Sequence, residues 1–381
     1  MIPELREDFN RRFTPEKYRR FLAELDRRSG THVKFRNCET PCFFPRTLLD
    51  KMVRYGRELI EQLTGDPVYL AAAGRAIPPQ YNVPGVDTHP LFVQADFGLD
   101  RQLEPKLVEI QGFPSLYGFQ PVLAETYRDI YDLDRDLRSE FVEDYWERLR
   151  RAIVGDHDPE NVVLLEIDPL EQKTLCDFLV TEKHLGIKTV NIRDVYERGN
   201  RLYHGETPIH RIYNRAIVDE LERKQVKLAF DFRDDIDVEW AGHPNWYFRV
   251  SKFSLPWLKH VCVPRTWFLD QVNRLPHNLE NYVLKPLYSF AGLGVIVGPT
   301  REQIQAVANP SQYILQEKVD FRPVIETPFG KSKAEIRVMY LWQEQLEAMT
   351  TIIRTGRGKM MGVDHNRDME WVGASAGFWR E

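Results

Sequence analysis

The sequence contains few cysteines and lacks long hydrophobic runs. Its 381 residues include four cysteines, Cys38, Cys42, Cys176 and Cys262. Because four cysteines do not make a disulfide framework in a chain of this size, we expect a reducing, cytoplasmic environment. No apolar run approaches the roughly 18 residues that a membrane span requires, so we expect no membrane partner. The first residues, MIPELREDFNRRF, are charged throughout and do not resemble a secretory signal peptide.

A large excess of one charge is also missing. The formal net charge is −5 at pH 7, although charged residues make up 29% of the chain. This balance argues against broad binding to nucleic acid, so we expect no nucleic-acid partner. Internal repeats and low-complexity segments are absent from the sequence, and the chain is long enough for two or three lobes, each with its own core.

Two of the cysteines are close neighbours in the sequence. Cys38 and Cys42 have a spacing that would allow a redox or metal-binding pair. No further cluster of cysteine and histidine lies nearby, and two ordinary thiols are the alternative interpretation. The sequence leaves the role of this pair open.

The first part of the chain has the periodicity of helices followed by a strand pair. The spacing of apolar residues predicts an amphipathic helix over 47–63 and one long helix within 125–153. Between them, the apolar segments 91–97 and 107–110 are separated by a polar turn and predict two paired strands.

The middle of the chain has the pattern of a parallel sheet. A compact apolar strand is predicted at 162–167, a helix at 171–184 and a second strand at 187–192. This βαβ order predicts a small Rossmann-like parallel-sheet lobe over 155–242. Arg215 follows a further strand of this lobe and either faces a ligand at the strand end or belongs to a surface polar cluster.

The segment 281–298, NYVLKPLYSFAGLGVIVG, has the order strand, glycine-rich turn, strand. Lys285 ends the first strand, and the turn contains Ser289, Gly292 and Gly294. Small residues let a backbone approach a polyanion so that its N–H groups point at phosphate oxygens. A lysine at the end of the strand adds a positive charge for the same phosphates. We therefore expect this segment to bind a nucleotide phosphate chain.

Three other interpretations compete for the same segment. A P-loop would need Gly-Lys-Ser or Gly-Lys-Thr at the start of a helix, and this combination is not present. A dinucleotide fingerprint would also continue into a helix, whereas 295–297 has the composition of a strand. A plain β-hairpin with a lysine at its edge is the remaining alternative.

Residues downstream of the turn complete a possible nucleotide site. The strand at 313–315 continues into Gln316, Glu317, Lys318 and Val319, whose backbone would suit an adenine edge, and Asp320 would accept a ribose hydroxyl. Further along, strand alternation places Glu335 and Arg337 on one face. This pair either points into a cleft or forms a cross-strand salt bridge.

A basic segment follows this strand. Arg354, Arg357 and Lys359 lie beside Gly356 and Gly358. They predict a site for phosphate or an anionic substrate, and an exposed basic turn is the alternative.

Three residues of the early strand pair have the chemistry of a magnesium site. Asp96 lies in one strand, and Glu109 and Gln111 share one face of the other. Carboxylate and amide oxygens suit Mg²⁺, which usually also keeps waters and substrate phosphates. Two solvated carboxylates at a sheet edge are the alternative.

These motifs together resemble the ATP-grasp superfamily. The resemblance rests on 283–286 with its glycine turn, on Gln316-Glu317-Lys318-Val319 and on Glu335-x-Arg337. In most of that superfamily the acidic metal-binding strand follows the adenine hinge. Here 106–115, KLVEIQGFPS, resembles the acidic strand that glutathionylspermidine synthase-like enzymes carry ahead of the glycine loop, and Ser251-Lys252 resembles the pair that supplies their first nucleotide lysine.

The resemblance implies an α+β / α/β protein with a circularly permuted ATP-grasp fold. It divides the chain into a helical region with the acidic strand pair (1–154), the small substrate-side lobe (155–242) and the nucleotide-binding lobe (243–381). It implies ATP and Mg²⁺ as cofactors, with Arg337 and Lys285 in catalysis. Apart from the resemblance, we expect Arg215, Arg354 and Lys359 to contact a substrate. The implied ATP contacts are Lys252, Lys285, Ser289, Gly292, Gly294, Gln316, Glu317, Val319 and Asp320, and the implied metal ligands are Asp96, Glu109 and Gln111.

The activity implied by the resemblance is ATP-dependent ligation of a carboxylate to an amine through an acyl phosphate. The chain departs from the family at Gln111 in place of asparagine, at Gln94 in place of arginine and at Ala291 in place of a metal-binding glutamate. These departures leave two alternatives: an ATP-binding module without ligase activity, and a small-molecule kinase with the same ATP site. The partners would be a small-molecule carboxylate and amine, while their identity and the oligomeric state are not indicated by the sequence.

Overall fold

The protein is a mixed α+β structure with several sheets. A computed structural model describes residues 1–289, 292–362, 366 and 368–380. Its helices in these segments are α1 (Pro3–Arg12), α2 (Pro15–Ser29), α3 (Arg46–Thr64), α4 (Pro67–Arg75), α5 (Phe119–Tyr131), α6 (Tyr145–Ile153), α7 (Leu175–Leu185), α8 (Val218–Arg223), α9 (Trp246–Arg249) and α10 (Arg301–Gln305).

The strands of the described segments form four sheets. In chain order they are β1 (Cys42–Phe43), β2 (Phe92–Leu99), β3 (Pro105–Gln111), β4 (Val162–Glu166), β5 (Lys188–Asn191), β6 (Val195–Arg198), β7 (Arg201–His204), β8 (Thr207–Ile209), β9 (Arg211–Asn214), β10 (Glu239–Ala241), β11 (Thr266–Phe268), β12 (Tyr282–Pro286), β13 (Ile296–Val297), β14 (Tyr313–Glu317), β15 (Lys333–Trp342), β16 (Leu346–Gly356) and β17 (Gly373–Phe378).

The largest sheet has six strands in the order β1-β17-β16-β15-β2-β3. The short pairing of β1 with β17 is parallel, and the other neighbours are antiparallel. Strands from the first 111 residues therefore lie beside strands from the last 49. Of the three units predicted from the sequence, the first (1–154) and the third (243–381) share this one sheet.

The middle segment contains a parallel sheet in the order β10-β9-β4-β5. The strands predicted at 162–167 and 187–192 are confirmed as β4 and β5, with α7 between them. All five residues of the central strand β4 are buried, as expected for a strand covered on both faces of the sheet. A three-stranded antiparallel sheet, β6-β7-β8, follows β5 in the chain.

The main core lies between α3 and the six-stranded sheet. Leu49, Met52 and Leu59 of α3 belong to the same buried cluster as Ile336 and Val338 of β15. The helix approaches the sheet closely, since the Tyr340 hydroxyl donates to the backbone oxygen of Val53 at 2.8 Å. This packing confirms the amphipathic helix expected at 47–63.

The long helix predicted within 125–153 is wrong. The chain forms α5 and α6 instead, because Asp132 adopts a left-handed backbone (φ 52°) that ends α5. Leu133 and Leu137 lie in the intervening segment and are still buried. The helical spacing of apolar residues therefore continues through a segment that is not helical.

Cys38 and Cys42 are buried free thiols, as are Cys176 and Cys262. Burial raises the pKa of Cys38 to about 11 and that of Cys42 to about 12, so both stay protonated at neutral pH. The structure supports the interpretation as two ordinary thiols. Among the described helices, none has both the length and the apolar character needed to cross a membrane.

Candidate functional site

A cavity of about 670 Å³ lies between the six-stranded sheet and the antiparallel sheet β11-β14-β12-β13. One wall consists of side chains from β3, β15, β16 and β17, and the other of side chains from β12, β13 and β14. Sequence-predicted residues that line the cavity are Glu109, Gln111, Lys252, Lys285, Ser289, Gly292, Gln316, Glu317, Val319, Asp320, Arg337, Arg354 and Lys359. Residues separated by up to 250 positions are thus brought to one place.

The register of the large sheet explains why its charged side chains meet. Glu335 is paired with Arg354 of β16, and Arg337 is paired with Asp96 of β2. Because side chains of directly paired residues point to the same face, these four groups form one cluster. Both interpretations of Glu335 and Arg337 apply, since they line the cavity and also form cross-strand ion pairs.

Two arginines hold the Asp96 carboxylate. Arg337 holds it through two contacts, Nε to Oδ1 at 2.5 Å and Nη2 to Oδ2 at 2.7 Å, and Arg354 also contacts Oδ2. The Asp96 side chain is only 1% exposed and is not among the cavity-lining residues of the described chain. Its oxygens therefore bind guanidinium groups in this structure, and the metal role expected for Asp96 stays a prediction.

Glu109 and Gln111 have positions that fit Mg²⁺. Gln111 donates its amide nitrogen to Gln94 at 2.6 Å, which leaves its amide oxygen as a ligand atom, and both side chains line the cavity. Within the described residues no cluster of three or more acidic, cysteine or histidine side chains is suited to a metal ion. Two protein oxygens suit Mg²⁺ when substrate phosphates supply further ligands. The donor set fits Mg²⁺ only together with a phosphate chain.

Two lysines line the cavity beside these groups. Lys252 donates to the backbone oxygen of Ser289 at 2.6 Å, and Lys285 donates to the backbone oxygen of Val108 at 2.9 Å. Glu109 lies between cations, with Oε2 at 3.9 Å from Lys252 and Oε1 at 3.5 Å from Arg337. A lysine and an arginine from two different segments thus flank the Glu109 carboxylate.

Burial and charge shift the pKa values in this cluster in different directions. Burial lowers the pKa of Lys285 to about 8, although Glu109 opposes this shift. Burial by itself would raise the pKa of Glu109, but Lys252, Arg337 and Lys285 hold it at about 2. For Glu335 burial outweighs the attraction of Arg354, and its pKa is raised. Such perturbed groups in a cleft are typical of functional sites.

The glycine turn has the backbone that the sequence pattern requires. Gly292 and Gly294 have φ values of 74° and 73°, which side-chain-bearing residues rarely adopt. A Cβ on Gly292 would also lie 3.2 Å from the end of the Met360 side chain. Gly292 lines the cavity. Gly294 lies in the same turn but is not among the described lining residues, and a Cβ on it would be 3.3 Å from the Pro286 ring. Ala291 lies outside the described residues, and the expectation attached to it stays a prediction.

The opposite wall carries polar groups that would suit a nucleotide base. Gln316 of β14 is paired with Val283 of β12, and its buried amide nitrogen has no hydrogen-bond partner among the described residues. The backbone N–H groups of Glu317 and Lys318 donate to the backbone oxygens of Arg265 and Asn281, which directly precede β11 and β12. Asp320 lines the cavity and accepts a hydrogen bond from Arg101 at 2.8 Å. An unpartnered buried donor fits the edge of a polar ligand.

Arg215 does not lie at the cavity. Its guanidinium is 3% exposed and forms an ion pair with Asp177 of α7. The other Asp177 oxygen accepts the N–H groups of Gly118 and Phe119, both at 2.9 Å, at the start of α5. This network gives Arg215 a structural role, and the substrate role expected for it stays a prediction.

Several lining residues were missed by the sequence reasoning. Phe321 follows Asp320 directly and lies over Gly98 of β2, where an added Cβ would be 2.2 Å from its ring. An aromatic residue next to the predicted hinge was a usable signal for Phe321. Phe35 and Lys173 come from distant segments, and no local pattern pointed to them.

Comparisons with known proteins support the fold. No family model matches the sequence. An uncharacterized protein of Mycobacterium leprae is 23% identical over an alignment of 302 residues. The match covers 65% of this chain and 50% of the relative, so the chain spans about half the length of that relative. The structure of a glutathione synthetase-like effector of Globodera pallida in the apo form superposes with a TM-score of 0.60 at 13% identity over 96% of both chains. The protein therefore has a mixed α+β fold that resembles a glutathione synthetase-like structure.

Proposed function

We propose that the protein is an ATP-dependent carboxylate–amine ligase with a circularly permuted ATP-grasp fold. The observation that carries this proposal is the meeting of Lys252, Lys285, Arg337 and Glu109 in one cavity between the six-stranded sheet and the sheet β11-β14-β12-β13, beside a glycine turn. Cations beside a backbone with positive φ suit a phosphate chain. The glutathione synthetase-like effector has a comparable fold, which is consistent with this assignment.

In this proposal ATP lies along the cavity from the hinge to the cationic cluster. The base would contact Gln316 and the backbone at Val319, and Asp320 would accept a ribose hydroxyl. Lys252 and Lys285 would hold the phosphates beneath the glycine turn. Glu109 and Gln111 would hold Mg²⁺, which when bound neutralises charge on the phosphates.

Arg337 would act as a fixed positive charge next to the transferred phosphate. Its guanidinium is held by Asp96 and by Gln94, whose Oε1 accepts from Nη1 at 3.0 Å. A guanidinium held in this way does not reorganise during the reaction, and such preorganised charge is an effective form of electrostatic catalysis.

The reaction then has two steps. A substrate carboxylate oxygen attacks the γ-phosphorus of ATP, the bond to the β-phosphate oxygen breaks, and ADP leaves with that electron pair. The amine attacks the carbonyl carbon of the acyl phosphate and loses a proton, and inorganic phosphate leaves. The cationic cluster stabilises charge in both steps, while positioning in the cavity supplies most of the remaining rate enhancement.

Two alternatives to the ligase function can be tied to specific residues. The use of Asp96 by two arginines and the replacement of a loop glutamate by Ala291 favour an ATP-binding module without ligase activity. A small-molecule kinase would use the same ATP residues and stop at the phosphorylated substrate. Amine-dependent turnover separates the ligase from both.

The test is ADP release from Mg²⁺-ATP with pooled amino acids, small peptides and polyamines. A ligase needs two components of the pools, and release is expected to fall at least about a hundredfold in Lys285→Met and Glu109→Gln. Lys227→Met is the matched control, because Lys227 is an exposed lysine of the parallel-sheet lobe, and it should behave like the unmodified protein.

The other outcomes separate the alternatives. Release that needs one component only would identify a kinase. Tight ATP binding without release in any pool would favour the binding module. No ATP binding, or equal binding in Lys285→Met, would refute the nucleotide site itself.

A further inference from the structure

The cavity has a second end that the ATP proposal does not use. We assign to this end the lining residues Phe35, Leu116, Thr174, Ile352 and Ala374, together with Lys173, which have no role in the proposed ATP site. Most of these side chains are apolar, and Lys173 is exposed at the rim. An apolar wall with one cation is different from the cationic, polar surroundings of the proposed phosphate site.

Separate segments are tied together to build this wall. Lys34 donates to the backbone oxygen of Leu170 at 3.2 Å, which joins the segment of Phe35 to the segment of Lys173. The Phe35 ring packs in a T-shaped arrangement with the Phe119 ring at the start of α5, with 5.4 Å between the ring centroids. Because Asp177 of α7 accepts the N–H groups at that start, the chain before α7 is also held here. Contacts within the described chain therefore hold the segments of this wall in place.

Leu116 has an unusual backbone at this end of the cavity. Its φ is 61°, a left-handed conformation that is costly for a branched side chain. Neighbouring bonds maintain it, since Gln94 donates to the Ser115 oxygen at 2.9 Å and Gln120 N–H donates to the Leu116 oxygen at 3.1 Å. Gln94 also contacts Arg337, so the wall is connected to the proposed catalytic cluster.

The wall begins directly beside the cationic groups. Ile352 is paired with Arg337, and Ala374 is paired with Arg354, on adjacent strands of the large sheet. Directly paired residues have Cβ atoms about 4.5–5.5 Å apart, so a molecule on the apolar wall has one end within reach of the guanidinium groups. Both ends of this surface, at Arg354 and at Lys173, are positively charged.

We propose that this end of the cavity is the subsite for the carboxylate substrate and that it selects a carboxylic acid with an apolar body over a polyamine. The apolar body packs on Phe35, Leu116 and Ile352. The reacting carboxylate lies towards Arg337 and Arg354, and Lys173 at the rim attracts the negative charge of the acid. This assignment rests on the proposed ligase function, because that function supplies the need for a carboxylate beside the phosphates.

Binding is measured by isothermal titration with 4-phenylbutanoate, octanoate, their amides and spermidine, with and without a non-hydrolysable ATP analogue. We expect the two acids to bind at least about tenfold more tightly than their amides, and spermidine not to bind at this end, because charge-assisted contacts to the cations are lost or reversed. The same protein samples are titrated with Mg²⁺-ATP.

Two variants and two matched controls test the assignment to residues. Leu116→Gly removes the apolar side chain and relieves the backbone, and it should weaken acid binding about tenfold. Leu103→Gly is its control, since Leu103 has a similar φ of 65° but is an exposed turn residue. Lys173→Gln should weaken acid binding about threefold and leave amide binding unchanged, with exposed Lys183→Gln on α7 as its control.

The outcomes distinguish the subsite from the ligase proposal. Normal ATP binding with no preference for acids over amides, or with unchanged acid binding in both variants, would overturn the subsite and leave the ligase proposal standing. Loss of ATP binding in Lys285→Met, with acid binding reduced only in Leu116→Gly and Lys173→Gln, would support both. Absence of ATP binding in the unmodified protein would overturn the ligase proposal whatever the acids do.

Discussion

Asp96, Arg337, Arg354 and Glu335 form a buried ion-pair network whose members hold one another in place. Taking charges out of water is costly, and such networks persist when each group has a partner. Here each guanidinium has carboxylate partners on a neighbouring strand. The network therefore fixes the position of Arg337, whose guanidinium contacts both oxygens of Asp96.

The lowered pKa of Lys285 predicts that the affinity for Mg²⁺-ATP depends on pH. Burial lowers its pKa to about 8, so its ammonium loses the proton as the pH rises through about 8. Affinity for Mg²⁺-ATP should therefore fall by about ten- to a hundredfold from neutral pH to above this value, because a charged hydrogen-bond donor is lost. Titration calorimetry across this range checks the result, with Lys285→Arg as the control whose guanidinium stays charged. A pH-independent affinity in the unmodified protein would contradict the assigned contact.

The lowered pKa of Lys285 also makes the stability of the protein depend on pH. An unfolded lysine keeps its proton to a pKa of about 10.4, so between pH 8 and that value the unfolded chain binds more protons than the folded one. The contribution of Lys285 to the free energy of unfolding is therefore least favourable below pH 8 and improves as the pH rises above it.

At the scale of elements, α3 is positioned by a glycine. A Cβ on Gly56 would lie 2.0 Å from the Tyr340 hydroxyl, and that hydroxyl donates to the backbone of α3. The helix can approach β15 this closely only because Gly56 has no side chain. This close contact packs α3 against the sheet that carries Arg337.

We expect Gly56→Ala to lower the free energy of unfolding by about 1–3 kcal/mol, because the core is overpacked. Gly74→Ala in α4 is the matched control, since only the end of the Arg249 side chain lies near, at 3.4 Å, and it should raise stability by up to about 1 kcal/mol. Urea unfolding of both variants measures the difference. Equal effects of the two substitutions would show that the close approach of α3 is not required.

At the scale of the whole molecule, Asp177 and Arg215 connect the parallel-sheet lobe to the rest of the protein. Arg215 follows β9, Asp177 belongs to α7, and the two N–H groups that Asp177 accepts belong to the start of α5. The pair thus holds the lobe where its residues Lys173 and Thr174 reach the cavity.

Arg215→Met should therefore lower the free energy of unfolding by about 3–5 kcal/mol, because it leaves a buried carboxylate without its cation. Arg193→Met, which removes a partly exposed ion pair with Asp168 in the same lobe, should cost less than about 1 kcal/mol. Thermal and urea unfolding compare the two. If Arg215→Met keeps its stability and instead raises KM for a substrate, the original prediction of a substrate contact is supported.

The sequence by itself determined the local elements of this protein. The order of strand, helix and strand at 162–192, the strand–glycine turn–strand at 281–298 and the shared face of Glu335 and Arg337 all follow from short-range periodicity and from the backbone freedom of glycine. Together with the family resemblance, these patterns pointed to thirteen residues that line the cavity.

Only the tertiary structure decided how distant segments meet. The pairing of β2 with β15 directs Asp96 to Arg337, and the docking of α7 on α5 brings Lys173 to the cavity and Arg215 away from it. Leu133 and Leu137 are buried without a helix for the same reason, since their burial depends on neighbours far along the chain. Local patterns record which face of an element is apolar, but they do not record which other element covers it.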